Sequence, residues 1–160
     1  RKMRDVWRKS LEVAGICYTL CRRYTSLKPD QAALGGLVHQ IGVLPILTYA
    51  QDHNELLSDP VSLNHVIECI HPLIGDKLLA GWEFPEMLVK LPGQYLDFSR
   101  NSAHLDYIDL VQIATVICSQ HGETVLRQEL NALPAFLKLG IEADSPKLLS
   151  ELNTARGMFI

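Results

Sequence analysis

The chain has 160 residues, of which 48% are hydrophobic and 21% charged, and its formal charge is −3. A chain of this length can bury roughly 70% of its unfolded surface, so we expect one domain with a substantial core. Ten glycines and eight prolines are too few for a disordered or collagen-like chain. The mild negative charge argues against a general nucleic-acid binder, because such proteins normally carry a clear basic excess.

We also expect no membrane segment and no signal peptide. The longest apolar run, residues 32–50, is interrupted by His39, Gln40 and Pro45, whereas a span needs roughly 18 to 20 apolar residues. The first residues are basic and then amphipathic, unlike a signal peptide. Because the first residue is Arg1 and not Met, we expect the chain to be cut from a longer protein.

The cysteines form no CxxC pair; they are Cys17, Cys21, Cys69 and Cys118. Cys17 and Cys21 lie four residues apart on a predicted helix, where they point poorly for a disulfide. Small core thiols in a reducing cytosol are therefore favoured over metal or redox roles. This pattern predicts a cytoplasmic protein.

Charge is unevenly distributed along the chain. Residues 1–28 carry a net charge of +6, and the remainder carries −9. The favoured interpretation is a solvated face on a long first helix. The alternative is a docking surface for an acidic partner or a phosphate-bearing ligand.

Helical periodicity runs through the first half of the chain. Apolar residues recur at steps of three and four over residues 3–21, which predicts a first helix with one apolar face. Pro29 fits the first turn of a second helix, which we expect to run to about Leu47 and to be buried at the centre of the fold. Residues 52–60 are predicted to form a loop or short turn.

The second half gives shorter helical segments. We predict helices over residues 62–70 and 72–81, one short helix between Pro85 and Pro92, and a flexible surface loop over residues 93–102. Another mostly buried helix is predicted over residues 105–117. Later helices are expected near residues 123–130, 134–139 and 145–155. No strand-type alternation is sustained, so the predicted fold class is all-α.

Common catalytic signatures are missing from the sequence. It contains no GxSxG, Walker-A, HExxH or GxGxxG motif. Isolated histidines are more often surface or capping residues than ligands, and we read four of the six in this way: His53, His65, His104 and His121. His39 differs because it lies inside the most apolar segment.

Around His39 the sequence resembles the HDOD family, the HD-superfamily-related output domains. Residues 29–32 (PDQA) lead to residues 36–42 (GLVHQIG), similar to the family's "PEEA" opening and "GLLHDIG" run. Arg4, Trp7 and Ser10 match an "RxxWxxS" segment. Residues 71–85 are similar to the "HaevGaxLLxxWxlP" stretch, and residues 113–115 (IAT) correspond to an "lAd" helix. The late residues 137–141 are also similar to tails seen in these proteins.

The resemblance implies an HD-like helical bundle around the buried second helix. We divide the chain into an HD-like core over residues 1–125 and a C-terminal helical extension over residues 126–160 packed on the same domain. Full HDOD domains carry another helical half before the first helix seen here. We expect the surface that would contact it to be apolar or charge-matched, with the basic first helix as the place to look.

The resemblance also implies where a metal site would be, and most of its ligands are replaced. An active HD enzyme holds divalent metal with a first-helix His, a His-Asp pair and a distant Asp. Here the corresponding positions are Lys9, His39 with Gln40, and Thr115. The family's extra His-His pair falls around residues 95–96. We expect the metal site to be lost, because Lys9 puts a cation where the metal cation would sit.

The predicted function is therefore a non-catalytic signalling output domain that acts through protein contacts, with no cofactor. The vestigial pocket is expected to involve Lys9, His39, Gln40, His71 and Thr115. The resemblance implies a partner such as a fused receiver, GGDEF or EAL domain, with a homodimer as a further option and with neither nucleic acid nor membrane as partner.

Two alternatives remain open at this point. One is a metal-dependent phosphohydrolase with a rearranged site, in which Asp76, Asp106 or Asp109 joins His39 and His71. The other is an anion or nucleotide sensor that uses Lys9 and the vestigial pocket. The competing interpretation of Lys9 is that its side chain extends to solvent from the helix edge.

Overall fold

The structure is a computed structural model that describes residues 2–119, 122–143 and 145–160; His121 therefore lies outside the described residues. It is all-α, with no strand in these ranges. The helices are α1 (Lys2–Tyr24), α2 (Pro29–Val38), α3 (Val43–Gln51), α4 (Asn54–Leu57), α5 (Pro60–Gly81), α6 (Glu86–Val89), α7 (Leu91–Gln94), α8 (Tyr107–Ser119), α9 (Glu123–Ala132), α10 (Pro134–Leu137) and α11 (Pro146–Ala155).

The most deeply buried helix is α8. Every residue from Tyr107 to Ile117 on it is buried, so its apolar surface is covered on all sides. The predicted helix over residues 105–117 is thus confirmed in position and burial. Helix α2 packs against both α1 and α8. At its crossing with α1, a Cβ added to Gly36 would lie 2.7 Å from the Ala14 Cα, so the two backbones meet at a glycine.

The predicted second helix, residues 29–47, is two helices. A tight turn over residues 39–42 separates α2 from α3, closed by bonds from the Ile41 N–H to the Val38 carbonyl (3.0 Å) and from the Val43 N–H to the Gln40 carbonyl (2.9 Å). Gly42 in this turn lies directly against the His71 carbonyl, where a Cβ would overlap that oxygen. The close contact with α5 requires a glycine at this turn. Local periodicity does not reveal the turn, because α5 is distant in sequence.

The same segment corrects our expectation about membrane spans. By length and composition alone, residues Pro29–Gln51 are apolar enough to cross a membrane, despite the interruptions at His39, Gln40 and Pro45. In this fold, half of its most apolar window is buried inside the protein. The stretch supplies α2 and α3, whose buried residues face the core.

Helix α5 replaces two predicted helices. It runs unbroken from Pro60 to Gly81 with Pro72 inside it, although proline removes a backbone donor and usually ends a helix. Its N-cap is Asp59 and not Ser62. The Asp59 carboxylate accepts from the Ser62 N–H (3.2 Å) and from the Ser62 hydroxyl (2.8 Å).

The region from residue 85 to residue 102 also differs from expectation. Two short helices, α6 and α7, replace the predicted one, and Pro92 lies in the first turn of α7 and not beyond a helix end. Most residues of the predicted surface loop over 93–102 are exposed, and two of the others tie it to the rest of the fold. Tyr95 is buried, and the Arg100 guanidinium forms ion pairs with two aspartates of the α8 region.

The apolar core has a large and a small cluster. The large one joins α1, α2 and α8 to residues of the C-terminal extension, among them Leu130, Phe136 and Leu152. The small one lies between α3 and the first half of α5. The predicted later segments are confirmed by α9, α10 and α11. Their ends lie within two residues of the predicted ones, and Ser145 caps α11.

Three of the cysteines fit the prediction of core thiols, but one does not. Cys17 and Cys21 are buried and Cys118 is half-buried, whereas Cys69 is exposed on α5. All four are free thiols. Cys69 lies near the exposed His65, with 3.7 Å between its Sγ and the imidazole Nε2.

Candidate functional site

His39 lies at the C-terminal end of α2 and is fully buried. Its Nδ1 is 2.6 Å from the Gly36 carbonyl, which can only accept, so Nδ1 carries the proton in the neutral ring. Its Nε2 has no hydrogen-bond partner among the described residues. Burial lowers the pKa of His39 to about 4, and the positive charge of Lys9 acts in the same direction. The imidazole is therefore neutral at pH 7.

Tyr95 lies against both buried histidines. Its ring centroid is 5.0 Å from that of His39 at an interplanar angle of 85°, and 6.1 Å from that of His71 at 49°. Burial raises the pKa of Tyr95 to about 12, although a hydrogen bond with the Gln40 side chain opposes the shift. The Tyr95 carbonyl accepts from Nε2 of Gln112 at 3.1 Å. These contacts hold a neutral phenol beside neutral imidazoles.

His71 resembles His39 in its environment. It is buried in the middle of α5, and its Nδ1 lacks a partner within the described part of the chain. Burial lowers its pKa to about 4. His71 also disfavours a proton on His39.

A cavity of about 520 Å³ opens beside Tyr95. Three of the five residues predicted for the vestigial pocket line it: Lys9, Gln40 and Thr115. His39 and His71 do not line it, but they contact Tyr95, which does. The remaining lining residues, mostly apolar, are Leu96, Phe98, Val116, Ser119, Glu129, Ala132 and Leu133. The five predicted residues therefore lie close together: three line the cavity, and the two histidines lie behind Tyr95.

A smaller cavity of about 300 Å³ adjoins the first. Lys9 and Gln40 line both, so these two side chains form a shared wall. The smaller cavity is otherwise lined by Lys2, Asp5, Val6, Val43, Leu47, Asn64 and Ile67. Lys9 is half-buried and lies where the two cavities adjoin.

Sequence reasoning did not find a charge cluster at the start of α8. Asp106 and Asp109 cap the helix reciprocally: each backbone N–H donates to the other's carboxylate at 3.0 Å. The Arg100 guanidinium bonds to both carboxylates, and the Lys138 ammonium donates to both oxygens of Asp109 at 2.9 and 3.0 Å. Only the spacing of Asp106 and Asp109 signals this in the sequence, because Lys138 lies 29 residues away.

The charge cluster at the start of α8 argues against the rearranged metal site, in which an aspartate would join His39 and His71. Asp106 and Asp109 are committed to Arg100 and Lys138, and Asp76 accepts from the Gly93 N–H at 2.9 Å. Across residues 2–119, 122–143 and 145–160, no three His, Cys, Asp or Glu side chains lie together as metal ligands would. Around Tyr95 the available groups are the two neutral imidazoles of His39 and His71 with amide, phenol and hydroxyl groups. Without a carboxylate from the implied ligand positions, this set fits a resident divalent metal poorly.

Another cavity, larger than the one beside Tyr95, lies elsewhere. It measures about 720 Å³ and lies between the end of α8, the start of α9 and α11. Its lining includes Ile117, Leu126, Leu149 and Arg156 and none of the five predicted pocket residues.

Comparison with a solved structure shows the same overall fold. A crystal structure of a candidate metal-dependent phosphohydrolase from Shewanella amazonensis SB2B superimposes with a TM-score of 0.79 at 25% sequence identity. The match covers 99% of this chain and 60% of that chain. This chain thus spans less than two thirds of the protein that it resembles.

Comparison with protein families shows to which family the chain belongs. No curated protein matches the chain. The model of the HDOD domain matches residues 1–94, which is more than half of the sequence and includes Lys9, His39, Gln40 and His71. The chain therefore belongs to the HDOD family.

Proposed function

We propose that this HDOD domain is a non-catalytic, cytoplasmic signalling module that works through protein contacts. The observation that carries the proposal is the composition of the site around His39. Lys9, Gln40 and Thr115 line one cavity at the positions where the family resemblance implies metal ligands. Of that set, only His39 keeps a ligating side chain.

Electrostatics support the loss of metal chemistry. The positive charge of Lys9 already acts on His39, where it disfavours a proton. A divalent cation bound at the same imidazole would meet the same repulsion at twice the charge. Gln40 offers a neutral amide oxygen in place of a bridging carboxylate, so nothing at that position offsets the added charge.

An exposed apolar face supports the role in protein contacts. Helix α5 presents Ile70, Leu73 and Ala80 to solvent at spacings of three and seven residues, which places them on one side of the helix. Leu73 is 64% exposed, and Trp82 at the end of the helix is 55% exposed. Lys77 is also exposed on this side, between Leu73 and Ala80. Exposed apolar side chains bordered by polar ones are typical of protein interaction sites. A fused receiver, GGDEF or EAL domain, or a second copy of the chain, is the kind of partner proposed.

Metal analysis tests the non-catalytic part. We expect the protein purified without chelator to contain far less than one divalent metal per chain, and to take up none when manganese or iron is added. It should not hydrolyse phosphoesters under the same conditions. Stoichiometric metal together with phosphoester hydrolysis would establish the alternative that the name of the Shewanella protein favours, a metal-dependent phosphohydrolase.

A reconstructed site provides the matched control. The triple variant Lys9→His, Gln40→Asp, Thr115→Asp restores the ligand types at three positions of one cavity. We expect it to bind manganese where the wild type does not, since carboxylate and imidazole ligands then converge. Binding by the wild type at equal affinity would contradict the proposed loss of the site.

The contact surface is tested by a differential capture experiment. Proteins retained by the immobilised wild type should be lost with Leu73→Lys. They should still bind Val125→Lys, which places the same charge at another exposed apolar residue. If both variants lose the captured proteins equally, or if neither variant loses them, the α5 face is not the contact surface.

A further inference from the structure

The 520 Å³ cavity beside Tyr95 has the chemistry of a ligand site that does not need a metal. Its size lies within the range of small-molecule pockets. The apolar part of the wall includes Val116 and Leu133, which are buried, and Leu96 and Phe98, which are more exposed. The polar groups come from α1, α8 and α9 and from the turns that contain Gln40 and Tyr95. Polar groups among apolar walls are what orients a small ligand in a binding site.

Lys9 supplies the positive charge of this cavity. It forms no ion pair with any other described residue, although neighbouring α1 side chains such as Glu12 are paired. Its effect on His39 shows that its charge lies close to the buried layer of the site. The carboxylates of Glu129 and Asp5 line the same two cavities as Lys9 without pairing with it, so its ammonium group can still bind an anionic ligand group.

The Gln40 amide N–H is a polar group near Lys9 that can donate a hydrogen bond to such a group. The Gln40 side chain lies close enough to the Tyr95 hydroxyl to oppose the rise in the pKa of that phenol. The Thr115 hydroxyl already donates to the Gln112 carbonyl at 2.9 Å, so its proton is not free for a carboxylate, which can only accept.

The charge balance selects the class of anion. Glu129 also lines the cavity, so its carboxylate opposes any large negative charge there. A phosphate monoester is close to a dianion at neutral pH and would leave charge uncompensated beside a single lysine. A carboxylate carries one negative charge and therefore meets less repulsion from Glu129 than a dianion does. Its attached hydrocarbon chain would cover the apolar walls.

We propose that this cavity binds a small amphipathic carboxylate, with Lys9 holding the carboxylate and Val116, Leu133, Leu96 and Phe98 enclosing its hydrocarbon body. This goes beyond the signalling role proposed above and does not depend on it. The metal analysis tests the non-catalytic signalling role, and the binding measurement below tests the carboxylate site.

The experiment uses octanoate as the probe, at concentrations well below those at which it forms micelles. Calorimetry measures its affinity for the wild type and for Lys9→Met, with Lys77→Met as the control at an exposed lysine of α5. Octanol, which has the same chain without the charge, and inorganic phosphate are the comparison ligands. Methyl NMR on the wild type locates the site through Leu96 and Leu133 inside the cavity and Leu149 in the 720 Å³ cavity.

We expect saturable octanoate binding that Lys9→Met weakens about tenfold or more, because a charge-assisted hydrogen bond is lost. Lys77→Met should leave the affinity unchanged, and the NMR shifts should occur at Leu96 and Leu133. Absence of saturation, equal binding of octanol, tighter binding of phosphate, or shifts at Leu149 alone would each overturn the proposal. If Lys9→Met does not fold, the octanol comparison and the NMR mapping on the wild type still decide it.

Discussion

The imidazole of His39 and the ring of Tyr95 lie nearly perpendicular, with centroids 5.0 Å apart, and neither ring is open to solvent. Edge-to-face packing of this kind adds stability beyond the area buried, by roughly 0.5 to 1.5 kcal/mol for aromatic pairs. It also leaves the His39 Nε2 facing groups that do not bond to it. The pair therefore favours a neutral imidazole, which makes folding depend on pH.

The first prediction concerns this pH dependence. His39 and His71 both have a pKa of about 4 in the fold, below the value near 6.5 of an unfolded chain. Between these two pH values the unfolded state binds more protons than the folded state. The contribution of the neutral histidines to the free energy of unfolding is therefore fully present above about pH 6.5 and is lost as the pH drops toward 4. We expect a loss of about 2 kcal/mol per histidine between pH 7 and pH 5.

Urea unfolding at a series of pH values measures this loss. The variant His71→Asn should show a shallower dependence, because one of the two linked groups is gone. The variant His65→Asn, at an exposed position of the same helix, should keep the dependence of the wild type. Identical slopes for all three proteins would contradict the assignment.

A second prediction concerns the charge cluster at the start of α8. Asp109 is fully buried, and Lys138 donates to both of its oxygens. Removing one partner of a buried pair leaves a charge without compensation, so Lys138→Met should cost about 3 kcal/mol of unfolding free energy. Arg100 remains to balance part of the charge, which keeps the cost at the lower end of the known range.

The same substitution at Lys147, an exposed residue of α11, is the control and should change stability by less than about 0.5 kcal/mol. In the double variant Asp109→Asn, Lys138→Met the two losses should be far from additive, since the residues share one interaction. Additive losses in chemical denaturation would show that the pair does not act as a unit.

A third prediction concerns the crossing of α1 and α2. A methyl group at residue 36 would lie 2.7 Å from the Ala14 Cα and 2.8 Å from its backbone nitrogen, so the helices must separate. Gly36→Ala should therefore destabilise the protein by about 1 to 3 kcal/mol.

Gly81→Ala is the matched comparison, because no atom lies within 4 Å of the added group at that end of α5. Alanine is the better helix former, so this variant should be as stable as the wild type or gain up to about 1 kcal/mol. Thermal unfolding of both variants tests the pair. A loss at residue 81 as large as that at residue 36 would rule out the close crossing as the cause.

A fourth prediction concerns thiol reactivity. Burial raises the pKa of Cys17, and it raises that of Cys118 to about 11, whereas Cys69 is exposed. Since the thiolate is the reactive form, iodoacetamide should modify Cys69 in the native protein well before the other three. Mass spectrometry at successive times reports the order, and unfolding in urea should make all four react. Early modification of Cys17 under native conditions would be inconsistent with its buried position.

Much of the helical fold could be predicted because its signals are local. Residues 3–21 and 105–117 carry apolar faces at the period of a helix, and Ser145 with Pro146 marks the start of α11 as the rules for helix ends require. The same local rules failed at Pro72. There a proline is read as a helix start, but it lies inside α5 between buried His71 and buried Gly75.

The site was predicted in part. The family resemblance singled out Lys9, Gln40 and Thr115, and the structure places all three on one cavity. The resemblance aligned residues 95–96 with a further ligand pair of the family, whereas the local sequence predicted a surface loop there. The local sequence does not reveal that Tyr95 is buried against the two histidines. Its role depends on groups contributed by helices that are distant in sequence.

Composition, periodicity and motif order were sufficient for the all-α class, most helix positions and membership of the HDOD family, because these depend on properties of neighbouring residues. The break between α2 and α3, the unbroken α5 and the pairing of Asp109 with Lys138 depend on contacts between segments far apart in the chain. Such contacts form only when the helices pack, and their energies then override the local preferences of the residues that make them.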